Sequence, residues 1–221
     1  MEKYTVKVRE NNCLTDWVHQ LILEKPNQFS FLAGQFVMVK TEKGTRPYSL
    51  ASSPAEDFLE LCIKKTGEVS SVLCSVQEGS KIQIIGPNGN FTFKSKEAQE
   101  IFFIATGTGI APLKSMISDI IDRFNGKMTL LFGTKTKKDI LYEDYFRFLE
   151  RKYKNFSYIV TLSRENWEGH RGHVDEVLRK IVKEPRAHLY LCGLKEMIES
   201  VRKAAEEIGF KENQIYFERY S

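Results

Sequence analysis

Residues 102–117 read FFIATGTGIAPLKSMI. An apolar run stops at Gly107 and Gly109, and an amphipathic segment opens at Pro112, so the stretch predicts a strand turning directly into a helix. Glycines at such a junction let an anionic group approach the backbone. The helix start adds unsatisfied N–H groups and the positive end of a dipole. Pro112 suits the first helical turn, where its missing donor does no harm. It also stands where a GxGxxG pattern would carry its third glycine, so the junction points to nucleotide phosphate through position more than through motif.

The rhythm on either side divides the chain. EIFFIAT, KMTLLFGT, FSYIVTL, AHLYLCG and NQIYFERY alternate with the amphipathic segments PLKSMISDIIDRF, YEDYFRFLERKY, VDEVLRKIV and KEMIESVRKAAEEIG. Strand and helix in alternation predict a parallel sheet covered on both faces. From Tyr4 to about Phe93 the strand-like runs are YTVKVRE, DWVHQLILE, GQFVMVKT, RPYSLASS, FLELCIKK and SKIQIIGP, separated by turn-rich pieces such as EKPNQ and TEKGT. That pattern predicts an antiparallel barrel or sandwich, with one helix around Ser70–Val76. KSKEAQE, polar and without β-branched residues, reads as a linker. The expected fold is therefore two-domain, an antiparallel β-barrel over 1–95 and an α/β parallel-sheet domain over 96–221.

Composition narrows the function. With 33 Lys+Arg against 29 Asp+Glu in 221 residues, the net charge of +4 is too mild for a nucleic-acid footprint. The N-terminus MEKYTVKVRE lacks a signal-peptide core and no apolar run reaches membrane-span length, so a cytoplasmic protein is expected. Cys13, Cys62, Cys74 and Cys192 are too scattered for a cluster or zinc site, and reduced thiols are expected. His170 and His173 fall in HRGH, where neighbouring glycines argue for a loop, and no metal site is expected.

RPYSLASSP, residues 46–54, is unusually polar for a strand. Arg46, Tyr48 and Leu50 share one face, and Pro47 confines the segment to a sheet edge, a strand start or a bulge. On this stretch alone, an edge strand with a surface arginine and a strand facing a ligand are both open. Cys192 and Gly193 end the run AHLYL. There a small buried thiol and a residue at the ligand edge of the sheet are both open.

RPYS, TGEVS, GPNGNF, TGTGIAP and LCGLKEM, in this order and at these intervals, resemble the ferredoxin–NADP reductase family of flavoproteins over essentially the whole chain. The resemblance implies an FAD-binding barrel and an NAD(P)-binding α/β domain. It implies that Arg46 pairs with the FAD pyrophosphate, that Tyr48, after Pro47, packs on the isoalloxazine ring, and that Ser49 hydrogen-bonds near flavin N5. Gly67, Val69 and Ser70 match the turn and helix start that cradle the pyrophosphate, while Gly86, Pro87 and Gly89 match a structural loop of the barrel. Gly107, Thr108 and Gly109 match the pyridine-nucleotide phosphate loop. Cys192, beside Gly193, matches a cysteine near nicotinamide C4, Glu218 completes a Ser49–Cys192–Glu218 catalytic cluster, and Tyr220 matches the aromatic residue covering the second flavin face, here followed by Ser221.

Family members that use NADPH often carry a serine and an arginine where Ser163 and Arg164 stand, which favours NADPH. Trp167 to Val174, W-x-G-x-x-G-x-V, also resembles NADH-linked oxygenase reductases. The implied activity passes hydride from NAD(P)H to FAD and then single electrons to a ferredoxin- or flavodoxin-type carrier. The alternatives are the reductase component of an oxygenase, acting through a separate iron–sulfur protein, and an electron-transfer subunit of a larger complex. A reductase of free flavins fits less well with a complete set of FAD contacts.

Overall fold

The computed structural model describes residues 2–182 and 184–220. The chain forms two compact units, one of Met1–Phe93 with Lys114–Ile120 and one of Lys94–Leu113 with Ile121–Ser221.

The first unit is a curled antiparallel sheet of β1 (Glu2–Thr15), β2 (Val18–Glu24), β3 (Phe36–Thr41), β4 (Gly44–Ser49), β5 (Phe58–Lys64) and β6 (Lys81–Asn88), in the order β4-β3-β6-β1-β2-β5. Residues 2–7 of β1 pair with β6 and residues 8–15 with β2, so one long strand turns the corner of the curl. The two edges meet where Leu50, just beyond β4, bridges Leu61 of β5. Period-two alternation fills the interior: Val6, Val8, Val37, Val39, Leu59, Leu61 and Ile63 are buried together. A helix, α1 (Glu68–Ser75), adds Val69, Leu73 and Cys74 to this core. It starts two residues before the expected Ser70, because Ser70 itself pins the entering turn.

The second unit is an all-parallel sheet of β7 (Glu100–Thr106), β8 (Lys127–Thr134), β9 (Phe156–Leu162), β10 (His170–Arg171), β11 (His188–Leu194) and β12 (Ile215–Tyr220), in the order β10-β9-β8-β7-β11-β12. Ile101–Ala105 of the central β7 are buried throughout, as a strand covered on both faces requires. Beyond Gly107–Gly109 follow α2 (Ile110–Ile120), α3 (Glu143–Lys152), α4 (Val174–Ile181) and α5 (Lys195–Ile208). Helix α2 thus supplies its first residues to this unit and Lys114–Ile120 to the other. Val177 and Leu178 of α4 and Ile198 and Val201 of α5 are buried in one core with Ile104 of β7, Leu131 of β8 and Leu189 and Leu191 of β11.

Two segments differ from their sequence reading. HRGH is not wholly loop: His170 and Arg171 pair with Thr161 and Leu162, and the Thr161 hydroxyl donates to the Gly172 carbonyl at 2.8 Å. The start of KSKEAQE is fixed, because Ser95 is buried with its Oγ 2.8 Å from the Tyr190 hydroxyl and 2.5 Å from His188 Nδ1. Among the described residues no helix is long and apolar enough to cross a membrane.

Candidate functional site

In the first unit, β4 is an edge strand laddered to β3, with Val39 opposite Arg46, Met38 opposite Pro47, Val37 opposite Tyr48 and Phe36 opposite Ser49. The edge position tolerates Pro47, which has no N–H to give the ladder. Arg46 is exposed, and its Nη1 donates to the Thr45 carbonyl at 3.0 Å. Tyr48 is half-buried against the barrel core. Burial, and then the neighbouring Cys74, push its hydroxyl up to about 12, with the Arg46 charge opposing them. At neutral pH it is therefore a neutral phenol presenting one ring face. Ser49 is buried.

The start of α1 lies beside this strand, since a Cβ on Gly44, the first residue of β4, would stand 3.7 Å from Val69 Cγ2. The Ser70 hydroxyl accepts from the Thr66 and Gly67 amides at 2.9 Å each and donates to the Gly67 carbonyl at 2.9 Å. With that hydroxyl and the Gly67 amide occupied and Val69 buried, Val69 and Ser70 offer a ligand the backbone N–H groups of the first helical turn, and Gly67 offers open space, since a Cβ on it would meet nothing within 4 Å. Glu68 places a carboxylate at the same helix end. An exposed guanidinium, a helix N-terminus and a half-buried aromatic ring in one neighbourhood fit a ligand that joins a pyrophosphate to a flat ring system, as FAD does. Gly86 and Pro87 lie in β6, and Gly89 packs near the Phe36 ring, so this loop is scaffold.

In the second unit, the chain runs from the central β7 outward through β8, β9 and β10 on one side and then returns to β11 on the other, so the strand order reverses beside β7. A crevice for ligands is expected beyond the carboxyl ends at such a switch point. The two glycines there differ. Gly107 has φ +53°, and a Cβ on it would meet nothing within 4 Å, which leaves its backbone open to a phosphate. A Cβ on Gly109 would stand 2.2 Å from the Cys192 carbonyl oxygen, so a glycine there lets the turn before α2 pack against the end of β11. Half-buried Thr108 sits between them.

Cys192 is fully buried at the end of β11, in register with Glu218 of β12, while Leu194 pairs with Tyr220. Cys192, Glu218 and Tyr220 therefore share one face of the sheet. Burial pushes the Cys192 thiol well above its ordinary range, the Glu218 charge adds to this, and a hydrogen bond with the Tyr220 hydroxyl opposes it. Cys192 is consequently a neutral thiol at physiological pH. A Cβ on Gly193 would stand 2.6 Å from Thr106 Oγ1, so the ends of β7 and β11 are packed tightly at this edge. Ser221 lies outside the described residues.

Ser163 and Arg164, just past β9, are exposed, and their amides donate to the carbonyls of Thr134 and Lys135 at 3.0 and 2.9 Å. That pairing brings Arg164 beside the run KTKK, whose cations the sequence reading did not assign. Thr136, Lys137, Lys138 and Glu165 line a cavity of about 460 Å³ there. Glu165 is engaged with the Lys137 amide at 2.7 Å, which fixes the carboxylate at the turn.

The sequence matches two family models, Oxidoreductase FAD-binding domain over residues 5–93 and Oxidoreductase NAD-binding domain over residues 103–203. It is 33% identical to ferredoxin–NADP reductase B of Sorangium cellulosum, an alignment covering 94% of this chain and 93% of that protein. It is 30% identical to one component of the Na(+)-translocating NADH-quinone reductase of Neisseria meningitidis, over 84% of this chain but 51% of that longer protein. In fold it is similar to a ferredoxin–NADP+ reductase of Neisseria gonorrhoeae solved with bound FAD and NADP, with a TM-score of 0.87 at 21% identity over 99% of both chains. On these likenesses the chain belongs to the ferredoxin–NADP reductase family of FAD-dependent oxidoreductases.

Proposed function

We propose that this protein oxidises NADPH and passes the electrons singly to a ferredoxin- or flavodoxin-type carrier, as a cytoplasmic enzyme. The likeness to a ferredoxin–NADP reductase of nearly the same length supports the acceptor class. FAD supplies the conversion of a hydride into two one-electron transfers. The chain's own residues bind, orient and exclude water. Arg46 and the first turn of α1 neutralise the pyrophosphate, Tyr48 offers a neutral ring face, and Ser49 supplies a hydroxyl near N5. Gly107, Thr108 and Gly109 receive the nucleotide diphosphate at the start of α2. Cys192, kept protonated by its burial and by Glu218, borders the nicotinamide as a neutral group and takes no part as a thiolate.

The observation that supports the choice of NADPH is Arg164, whose amide bonds the Lys135 carbonyl next to a pocket lined by Lys137 and Lys138 together with Glu165, because these cations suit a dianionic 2′-phosphate. Arg164→Ala should lower kcat/KM for NADPH by about 10- to 150-fold, the equivalent of ~1.5–3 kcal/mol for a hydrogen bond to a charged group, and leave NADH near wild type. A wild type that already prefers NADH would overturn this assignment of Ser163 and Arg164.

A second reading, an electron-transfer subunit of a larger complex, is supported by the likeness to a component of the sodium-translocating NADH-quinone reductase. Stable co-purification with other subunits out of the native source would favour it over a ferredoxin or flavodoxin reductase, and the reductase component of an oxygenase would reveal itself by coupling to a separate iron–sulfur protein.

Tyr220 is assigned to the nicotinamide-facing side of the flavin. Removing Tyr220 and Ser221 should then tighten NADP binding severalfold, since an aromatic pair contributes ~0.5–1.5 kcal/mol beyond area burial. Tyr220→Phe keeps the ring and loses the bond to Cys192, and should leave NADP affinity unchanged. Equal titration curves for the truncated and wild-type proteins, followed by perturbation of the flavin band, would make Tyr220 an ordinary strand-end aromatic.

A further inference from the structure

Trp17 is 60% exposed, the largest of the exposed apolar side chains among the described residues. Trp167 differs, because its ring lies against Gly169, where a Cβ would stand 2.4 Å from Cζ2, and its Nε1 donates to the His170 carbonyl at 2.7 Å. Trp17 sits in the turn between β1 and β2, and its backbone is tied from both sides. Thr15 Oγ1 accepts from the Trp17 and Val18 amides at 3.3 and 3.1 Å, and the Trp17 carbonyl accepts from the Lys65 amide at 2.8 Å. The last of these bonds continues the ladder in which Val18 stands opposite Lys64, so the indole is mounted on a fixed hairpin beside the end of β5.

The chain that leaves β5 there leads directly into α1. Residues 64–68 are exposed throughout, and an added Cβ on Gly67 would meet nothing within 4 Å, so the path is open. Ser70 Oγ holds that path by accepting from the Thr66 and Gly67 amides. From Lys65, bonded to Trp17, to Glu68, the first residue of α1, is three residues, a span of at most about 11 Å. A ribose between a phosphate and a base bridges a gap of this kind. The other turn that reaches the start of α1, residues 42–44, carries no aromatic ring.

A pyrophosphate at the first turn of α1 joins two ring systems. The isoalloxazine is assigned to Tyr48, and the adenosine on the far side has no assigned partner. An indole face suits a purine, because offset stacking of two flat rings covers apolar area that each otherwise leaves in water.

We propose that Trp17 is the adenine platform of the FAD site, its indole stacking on the base and holding the adenosine end of the cofactor beside residues 64–67. The assignment rests on the placement of the pyrophosphate at Arg46 and the first turn of α1. It makes this hairpin the element that selects FAD over FMN, which ends at its single phosphate and carries no base.

The test measures dissociation constants of the purified, flavin-loaded protein for FAD and, after exchange, for FMN, by ultrafiltration and flavin fluorescence. Trp17→Ala should weaken FAD by about 5- to 150-fold and leave FMN within about twofold of wild type, because only FAD brings a base to stack. Trp17→Phe should recover much of the FAD affinity and Trp17→Leu little of it, since leucine restores apolar area without a π face. Retained FMN affinity also reports a folded barrel. Arg46→Ala should weaken both flavins, since both carry the phosphate it neutralises, and a loss there with none in Trp17→Ala would sink the adenine platform while sparing the pyrophosphate site. FAD affinity within about twofold of wild type in Trp17→Ala, equal losses of FAD and FMN, or full rescue by leucine would each overturn the proposal.

Discussion

Glu60→Leu and Lys114→Met are each expected to destabilise the first unit by ~3–5 kcal/mol, and the double replacement to recover most of that loss. The carboxylate of Glu60 is 2% exposed, the ammonium of Lys114 is 9% exposed, and Oε2 and Nζ are 2.7 Å apart. Their remaining hydrogen-bonding capacity is well met. Gln20 Nε2 donates to Glu60 Oε1 at 2.8 Å, and Lys114 Nζ also donates to the Ala51 carbonyl at 3.3 Å. The backbone beside them is tied as well, with the Glu60 amide on Ser52 Oγ at 3.1 Å and the Ser115 hydroxyl on the Ser52 carbonyl at 2.6 Å. Removing Lys114 leaves the buried Glu60 carboxylate facing the neutral Gln20, and removing Glu60 leaves the Lys114 ammonium with the Ala51 carbonyl and the charge of Glu56, whereas removing both replaces an ion pair with apolar volume. Thermal unfolding should show each single variant melting ~6–20 °C lower at 2–4 °C per kcal/mol, and the double variant near wild type. Single variants within about 1 kcal/mol of wild type would mean that water or relaxation reaches this pair.

Arg46→Ala is expected to weaken FAD retention by about 10- to 150-fold, since a hydrogen bond to a charged group contributes ~1.5–3 kcal/mol. The loss should be larger than for most surface substitutions. With Arg46 gone the cation proposed for the pyrophosphate is lost, while Glu68 in the first turn of α1 still repels a phosphate. Arg46→Lys should restore part of the affinity and not all, because an ammonium lacks the planar fork that grips phosphate oxygens. FAD released through ultrafiltration, followed by its fluorescence, measures the effect. An unchanged dissociation constant in Arg46→Ala would remove Arg46 from the pyrophosphate site.

Local signals carried most of the architecture. The strand–glycine–helix junction at residues 102–117, the alternation of strands and helices after it, and Pro47 marking an edge strand all work over a few residues. The structure has these features where the sequence indicates them. What sequence reading missed depends on contacts between distant segments. Glu60 and Lys114 are 54 residues apart, and a lone glutamate in FLELCIK or a lone lysine in PLKSMI reads as a surface charge until the fold buries both. The bond between Tyr220 and Cys192 follows from the parallel register of β11 and β12, which no spacing within either strand encodes. The lysines of KTKK come to Arg164 because β8 and β9 end side by side. β10, at two residues, is too short for any periodicity to reveal.

The central claim, that one chain binds FAD and reduces it with a pyridine nucleotide, is tested most directly by anaerobic titration of the purified yellow protein with NADPH, watching the flavin absorbance. One FAD per chain should bleach as about one equivalent of NADPH is added, and the colour should return on adding an oxidised ferredoxin or flavodoxin. A protein that takes up no FAD on reconstitution, or whose bound flavin stays oxidised with both NADPH and NADH, would contradict it.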